Sequence, residues 1–207
     1  MWPADNSTAL ANSDHKFTKR FTVNTHAAST SQDTLSNDRK LQSGENWIAE
    51  VLKTSDAGKT WTKVFSSPSD ADYYFNEISC GSIDSCVVVG EGNNADGSPI
   101  AVAFTTTDGG VTWVQTLNTV GTIYSLTSVK MIDSKVGYIG ASMKSGFSLV
   151  GTFYYTEDGG MTWVNKQQLK GCDLILDIDF NADGSAGYAT CMSASGTSAC
   201  VAENIAQ

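Results

Sequence analysis

Arginine and histidine are nearly missing from this chain. Its 207 residues hold two of each, Arg20, Arg39, His15 and His26, and all four precede residue 47. Any chemistry that grips a carboxylate with a cluster of planar guanidinium groups is therefore excluded from residues 47–207, since lysine does not reproduce that bidentate geometry. A nucleophilic triad is excluded there too, because no histidine base is present and no G-x-S-x-G elbow occurs. No apolar run approaches the roughly 20 residues of a membrane helix. The start does not read as a signal peptide, since Met1-Trp2-Pro3-Ala4-Asp5 leads into polar residues where an apolar segment should stand. Positive charge is also scarce: 22 acidic against 13 basic residues give a net charge of −9. Residues 1–46 carry five of each sign, so the excess lies in 47–207. A surface of that sign repels phosphate backbones, and a cationic protein patch or a metal ion is the expected partner.

What is present is enough apolar residue, 41%, for one packed domain. Residues 1–46 contain 21 Ser, Thr, Asn or Asp residues without sustained periodicity and read as a polar arm. Phe17 to Val23 alternates well enough to form one strand within it.

From Trp47 the sequence repeats. Thr54-Ser55-Asp56-Ala57-Gly58-Lys59-Thr60-Trp61 returns as Thr106-Thr107-Asp108-Gly109-Gly110-Val111-Thr112-Trp113 and as Thr156-Glu157-Asp158-Gly159-Gly160-Met161-Thr162-Trp163, with tryptophans 52 and 50 residues apart. That spacing is the length of one propeller repeat, about 50 residues. Each repeat also shares its approach to the motif. Ile78 to Gly90, Leu126 to Gly140 and Ile175 to Thr190 each read as strand, polar turn and second strand. A third strand leads into the motif and a fourth leaves it, giving a four-stranded antiparallel meander. The expected inventory is half a repeat at 47–66, whole repeats at 73–118 and 120–169, and most of another at 172–207. That falls short of a ring, so the remaining strands must come from a longer chain, from a second copy, or from Phe17 to Val23 folding back, ranked in that order.

The motif has a structural rationale. Its Asp accepts backbone amide hydrogens as in an Asx turn, and its Gly takes a positive φ. The Thr hydroxyl satisfies another backbone group, while the Trp packs on the next layer with its indole N–H on a carbonyl. Asp56, Gly58, Thr60 and Trp61, with Asp108, Gly110, Thr112 and Trp113 and with Asp158, Gly160, Thr162 and Trp163, are thus read as fold-building and not catalytic. Three copies of one turn do not make the convergence of unlike groups that a reaction centre needs.

These repeats resemble the Asp-box, or BNR-repeat, β-propeller family over residues 47–207. That family includes sialidases, two-domain xyloglucanases, sortilin-type receptor ectodomains and photosystem II assembly and stability factors, and the TTDGGxTW-like wording is most similar to the last group and its relatives. The resemblance implies an all-β propeller, with the box remote from the working surface. A sialidase is disfavoured by the missing arginines. A xyloglucanase-like glycosidase needs two carboxylates facing across a cleft, and nothing in the sequence pairs two of Asp70, Asp72, Glu77, Asp84, Glu91, Asp173, Asp177 and Asp179. The expected role is a non-enzymatic binding or scaffolding module with a protein partner, ahead of a glycosidase fragment or a glycan-binding propeller.

Three further features carry expectations. Asp177, Asp179, Asn181 and Asp183 space oxygen ligands like a short calcium loop closed by Gly184, although Thr190 stands where the final Glu belongs; a plain polar hairpin is the competing reading, and no other cofactor is expected. Cys80 with Cys86, and Cys191 with Cys200, flank short polar connections and are candidate disulfides, leaving Cys172 odd. Such bridges fit an extracellular or other oxidising compartment, the thylakoid lumen among them. Alternation must point one side of Tyr73-Tyr74-Phe75 and of Phe153-Tyr154-Tyr155 away from the core of its own repeat. Most of these rings are expected to fill the layer between repeats and a minority to line a face or the central channel, with Tyr73, Tyr74 and Tyr154 the candidates for a binding face.

Overall fold

A computed structural model describes residues 47–146 and 148–193. These form 12 strands and no helix: β1 (Glu50–Lys53), β2 (Thr62–Ser66), β3 (Ala71–Cys80), β4 (Cys86–Asn94), β5 (Pro99–Thr106), β6 (Val114–Val120), β7 (Ile123–Met131), β8 (Gly137–Ser145), β9 (Ser148–Thr156), β10 (Val164–Gln168), β11 (Leu174–Phe180) and β12 (Gly187–Met192). All pairing is antiparallel between strands adjacent in sequence, giving four meander sheets: β1-β2, β3-β4-β5-β6, β7-β8-β9-β10 and β11-β12. Each sheet overlaps one repeat read from the sequence, although β3 starts at Ala71, before position 73, and β6 runs on to Val120. The strand expected at Phe17 to Val23, the last part of the repeat at 172–207, and Cys200 lie outside the described residues.

Each layer between neighbouring sheets is one hydrophobic core. Val51, Val64 and Phe65 of the first sheet meet Tyr73, Val88, Ile100 and Phe104 of the second. Val87, Val89, Ala101 and Ala103 of the second meet Leu126, Val129, Ile139 and Tyr154 of the third. Tyr138 and Phe153 of the third meet Ile175, Ile178 and Phe180 of the fourth. A middle sheet is thus buried on both faces, which explains the near-continuous burial along β5, β8 and much of β4.

The first strand of each full or partial meander is bulged at one shared position. Register slips fall between Phe75 and Glu77, between Leu126 and Ser128, and between Ile175 and Asp177, each extra residue lying opposite no partner. Two of the extra residues turn that displacement into a link between sheets. Asn76 donates from Nδ2 to the Leu126 carbonyl at 2.9 Å, and the Thr127 hydroxyl donates to the Ile175 carbonyl at 2.5 Å. Leu176, in the third copy of the position, has no polar group to offer.

Two expectations change here. Tyr73 and Tyr154 are not on an open face: they are 5% and 9% exposed, within the first and second cores. Alternation along β9 does turn Tyr154 away from Phe153, but the opposite side belongs to another packed sheet. Only Tyr74 of the three is exposed, at 41%. The second disulfide joins Cys172 to Cys191, with Cα atoms 5.8 Å apart, in place of Cys191 to Cys200. The cause is the return of β12 along β11, which pairs Ile175 with Cys191 and brings the segment before β11 alongside. Cys80 and Cys86 pair as expected, directly opposite each other at the end of the β3-β4 ladder.

Candidate functional site

The repeated turns between β1 and β2, β5 and β6, and β9 and β10 share one hydrogen-bond network. In the second copy, the Thr106 hydroxyl donates to Asp108 Oδ1 at 2.8 Å and accepts from the Gly110 amide at 2.9 Å. The Thr112 amide donates to Asp108 Oδ1 at 2.9 Å and its hydroxyl donates to Oδ2 at 2.6 Å. Thr54, Asp56, Gly58 and Thr60 repeat every one of these bonds, as do Thr156, Asp158, Gly160 and Thr162. Hydrogen bonds to an ionised carboxylate favour its charged form. Those from Thr60 and Thr112 lower Asp56 and Asp108 to about 2. At Asp158 burial opposes ionisation, but the bonds from Thr162 and Thr156 outweigh it and hold the carboxyl below its ordinary range. Gly58, Gly110 and Gly160 have φ of 84°, 90° and 86°. Both carboxylate oxygens of every motif Asp are therefore engaged within the turn itself.

The motif tryptophans are not equivalent. Trp163 donates from Nε1 to the Thr116 hydroxyl of the preceding sheet at 3.4 Å, a hydroxyl where a carbonyl was expected. Trp113 packs on Phe65 with ring centroids 5.3 Å apart, and its buried Nε1 has no hydrogen-bond partner among the described residues. Val64 stands three residues after Trp61 as Thr116 stands three after Trp113, so the layer that gives Trp163 a hydroxyl gives Trp113 a methyl group. Trp61 is 59% exposed.

Charge gathers where β3, β7 and β11 lie side by side. Glu77 accepts the Val129 amide at Oε2, at 2.7 Å, and Ser79 Oγ accepts the Met131 amide at 3.0 Å. Burial raises the Glu77 carboxyl, partly offset by the Val129 hydrogen bond; Asp177 and Asp179 raise it further and Lys130 lowers it. Lys130 pairs with Asp179 at 2.6 Å, which holds Asp179 low. The sequence places Glu77 only in a longer set of acids and ties Asp177 and Asp179 to Asn181 and Asp183 instead, because the bulge and the sheet stacking that bring Glu77 near them have no local signal.

The four residues of the candidate calcium loop are divided between a strand and a turn. Asp177 and Asp179 project from the exposed side of β11. Asn181 and Asp183 build the next turn: Asp183 Oδ1 accepts from the Ser185 amide at 2.9 Å and hydroxyl at 2.6 Å, and Asn181 Oδ1 accepts the Ala186 amide at 3.0 Å. Among the described residues no three Asp, Glu, His or Cys side chains gather as a metal-binding group. No helix of the described residues is long and apolar enough to cross a membrane. A scan against protein-family models and a search of curated proteins found no match.

Proposed function

We propose that this chain is an Asp-box β-propeller module that binds or scaffolds a protein partner and performs no catalysis of its own. The observation that carries the reading is the threefold recurrence of one turn whose carboxylates are engaged in the turn's own hydrogen bonds. A group used that way positions strands and leaves the chain's working surface to its loops and exposed strand faces. The surplus of 22 acids over 13 bases favours a cationic partner surface, recruited with a salt-dependent rate. The two disulfides support placement in an oxidising compartment such as the extracellular space or the thylakoid lumen.

One observation favours a second reading, a diverged propeller glycosidase: Glu77 holds its proton above the ordinary range near two further carboxylates, as a general acid must. Against it stands the use of Glu77 Oε2 to tie β3 to β7. The full-length chain, assayed with aryl glycosides and xyloglucan oligosaccharides, is expected to show no turnover above blank. Saturable hydrolysis abolished by Glu77→Gln would replace the binding reading. In parallel, the immobilised chain should retain from its native source a protein that elutes as salt is raised.

A further inference from the structure

The row of sheets ends in two unlike halves. The first sheet, β1-β2, carries the turn motif and so corresponds to the third and fourth strands of a meander; the last, β11-β12, corresponds to the first and second. Each half also leaves bare the surface that the internal junctions bury. On the last sheet Tyr188 is 78% exposed, whereas Tyr138, at the same position of β8, is 5% exposed and stacks on Phe180 with centroids 4.3 Å apart. Thr190 and Met192 on the same side of β12 are exposed as well. At the other end Ile78 is 46% exposed, against 1% for Val129 and 3% for Ile178 at the matching positions of β7 and β11. Leu52 is 52% exposed, against 3% for Phe104 and 9% for Tyr154.

Polar groups match as well. At the junction of the second and third sheets, Glu77 and Ser79 accept amides from β7. Their counterparts on β11 are Asp177 and Asp179, both acceptors, and the amides at the equivalent points of β3 belong to Ile78 and Cys80. In the second and third sheets, the Gly109 and Gly159 amides donate to the carbonyls of Asp84 and Lys135, at 2.9 and 2.8 Å. The corresponding groups at the two ends are the Ala57 amide and the Ser185 carbonyl.

We infer that the last sheet of one chain docks on the first sheet of a second copy, pairing the edge of β12 with the edge of β1 to complete a four-stranded sheet. The register follows from the internal meanders, where Val88 faces Phe104 and Ile139 faces Tyr154. It sets Ala189 opposite Leu52 and Thr190 opposite Val51. The 12 described strands of one chain make up three sets of four. Two chains joined at both ends supply six. Among the described residues β1 and β12 each pair with one neighbour, and the second copy gives each of them another.

The test uses the full 207-residue protein. Light scattering coupled to size exclusion is expected to give about twice the 22.0 kDa chain mass. Tyr188→Asp should halve that mass while leaving the circular dichroism spectrum unchanged. A folded wild-type monomer across the micromolar range overturns the inference. An arm independent of Tyr188 mixes Leu52→Cys chains with Ala189→Cys chains under mild oxidation, which should give a disulfide-linked pair on a non-reducing gel. Tyr124→Cys, exposed on β7, should give none with Ala189→Cys. Equal linkage from the two mixtures overturns the pairing.

Discussion

The turn at Thr54–Trp61 and the turn at Thr106–Trp113 have the same hydrogen bonds and different surroundings. Their Thr and Asp partners agree to within about a tenth of an ångström, yet Trp61 is 59% exposed while Trp113 lies on Phe65 in a core. The turn is a local object closed by side-chain to backbone bonds spanning at most four residues. What its tryptophan contributes is set by whether another sheet stands behind it.

The sharpest way to break that comparison is to remove the ring at each site. Trp113→Ala should cost about 3 to 5 kcal/mol as a large-to-small change against a packed layer. Trp61→Ala should stay within about 0.5 kcal/mol, as surface changes do. Urea unfolding of the two variants checks this, and equal losses would show that the indole serves the turn itself and not the layer. Because the Trp113 indole N–H has no partner among the described residues, Trp113→Phe should be tolerated better than Trp163→Phe, which forfeits the bond to Thr116.

The two disulfides sharpen the contrast between sheets. Cys172–Cys191 closes a separation of 19 residues and Cys80–Cys86 one of 6. In the chain-entropy account, the longer loop corresponds to about 3 kcal/mol and the shorter to about 2. Replacing each pair by serine and following thermal unfolding should reproduce that order, with the fourth sheet loosening first when Cys172–Cys191 is removed.

A smaller effect separates the first turn from its copies. Ala57 sits at φ 59° where the other turns have Gly109 at 72° and Gly159 at 75°. A side chain in that left-handed region costs about 1 kcal/mol, so Ala57→Gly should raise stability by about that amount in a denaturant titration. No gain would mean that the Ala57 side chain has a compensating contact.

Acid should divide the turns from the junction between sheets. Asp56 and Asp108 have folded-state values lowered to about 2 from 3.8. Their stabilisation is therefore present above the unfolded value and is lost as pH falls from about 4 towards 2. Glu77 is raised, so its contribution has the opposite sign: it is complete below the unfolded value and is lost as pH rises through the folded one. Glu77→Gln keeps an oxygen for the Val129 amide and should raise the melting temperature at pH 7, with the difference shrinking below pH 4. Asp108→Asn should lower it at pH 7 and lose its effect near pH 2. A wild-type melting temperature flat from pH 4 to pH 2 would contradict the turn account.

Much of the fold was legible before any coordinate. The motif located three hairpin turns, the alternating runs located the strands around them, and the short separation of Cys80 from Cys86 located one disulfide, because each depends on neighbours within about ten residues. The candidate site was far less legible. Glu77 reaches Val129 across 52 positions of sequence, and nothing in either segment announces the other.

The sequence by itself determined the local devices: Thr and Asp oxygens set where an amide must lie, and a glycine sets where φ turns positive. Which side of each strand is covered was decided only by the stacking of sheets. Alternation makes Tyr73 and Tyr154 as eligible for a binding face as for the layer between repeats, and it is the sheet packed on each side that assigns both to the layer. Short connections give Cys172 no partner, and it is the return of β12 along β11 that brings Cys191 to it. The physical reason is one of range. A turn closes on bonds between residues a few places apart, whereas burial and disulfide partnership depend on which distant segments share a layer.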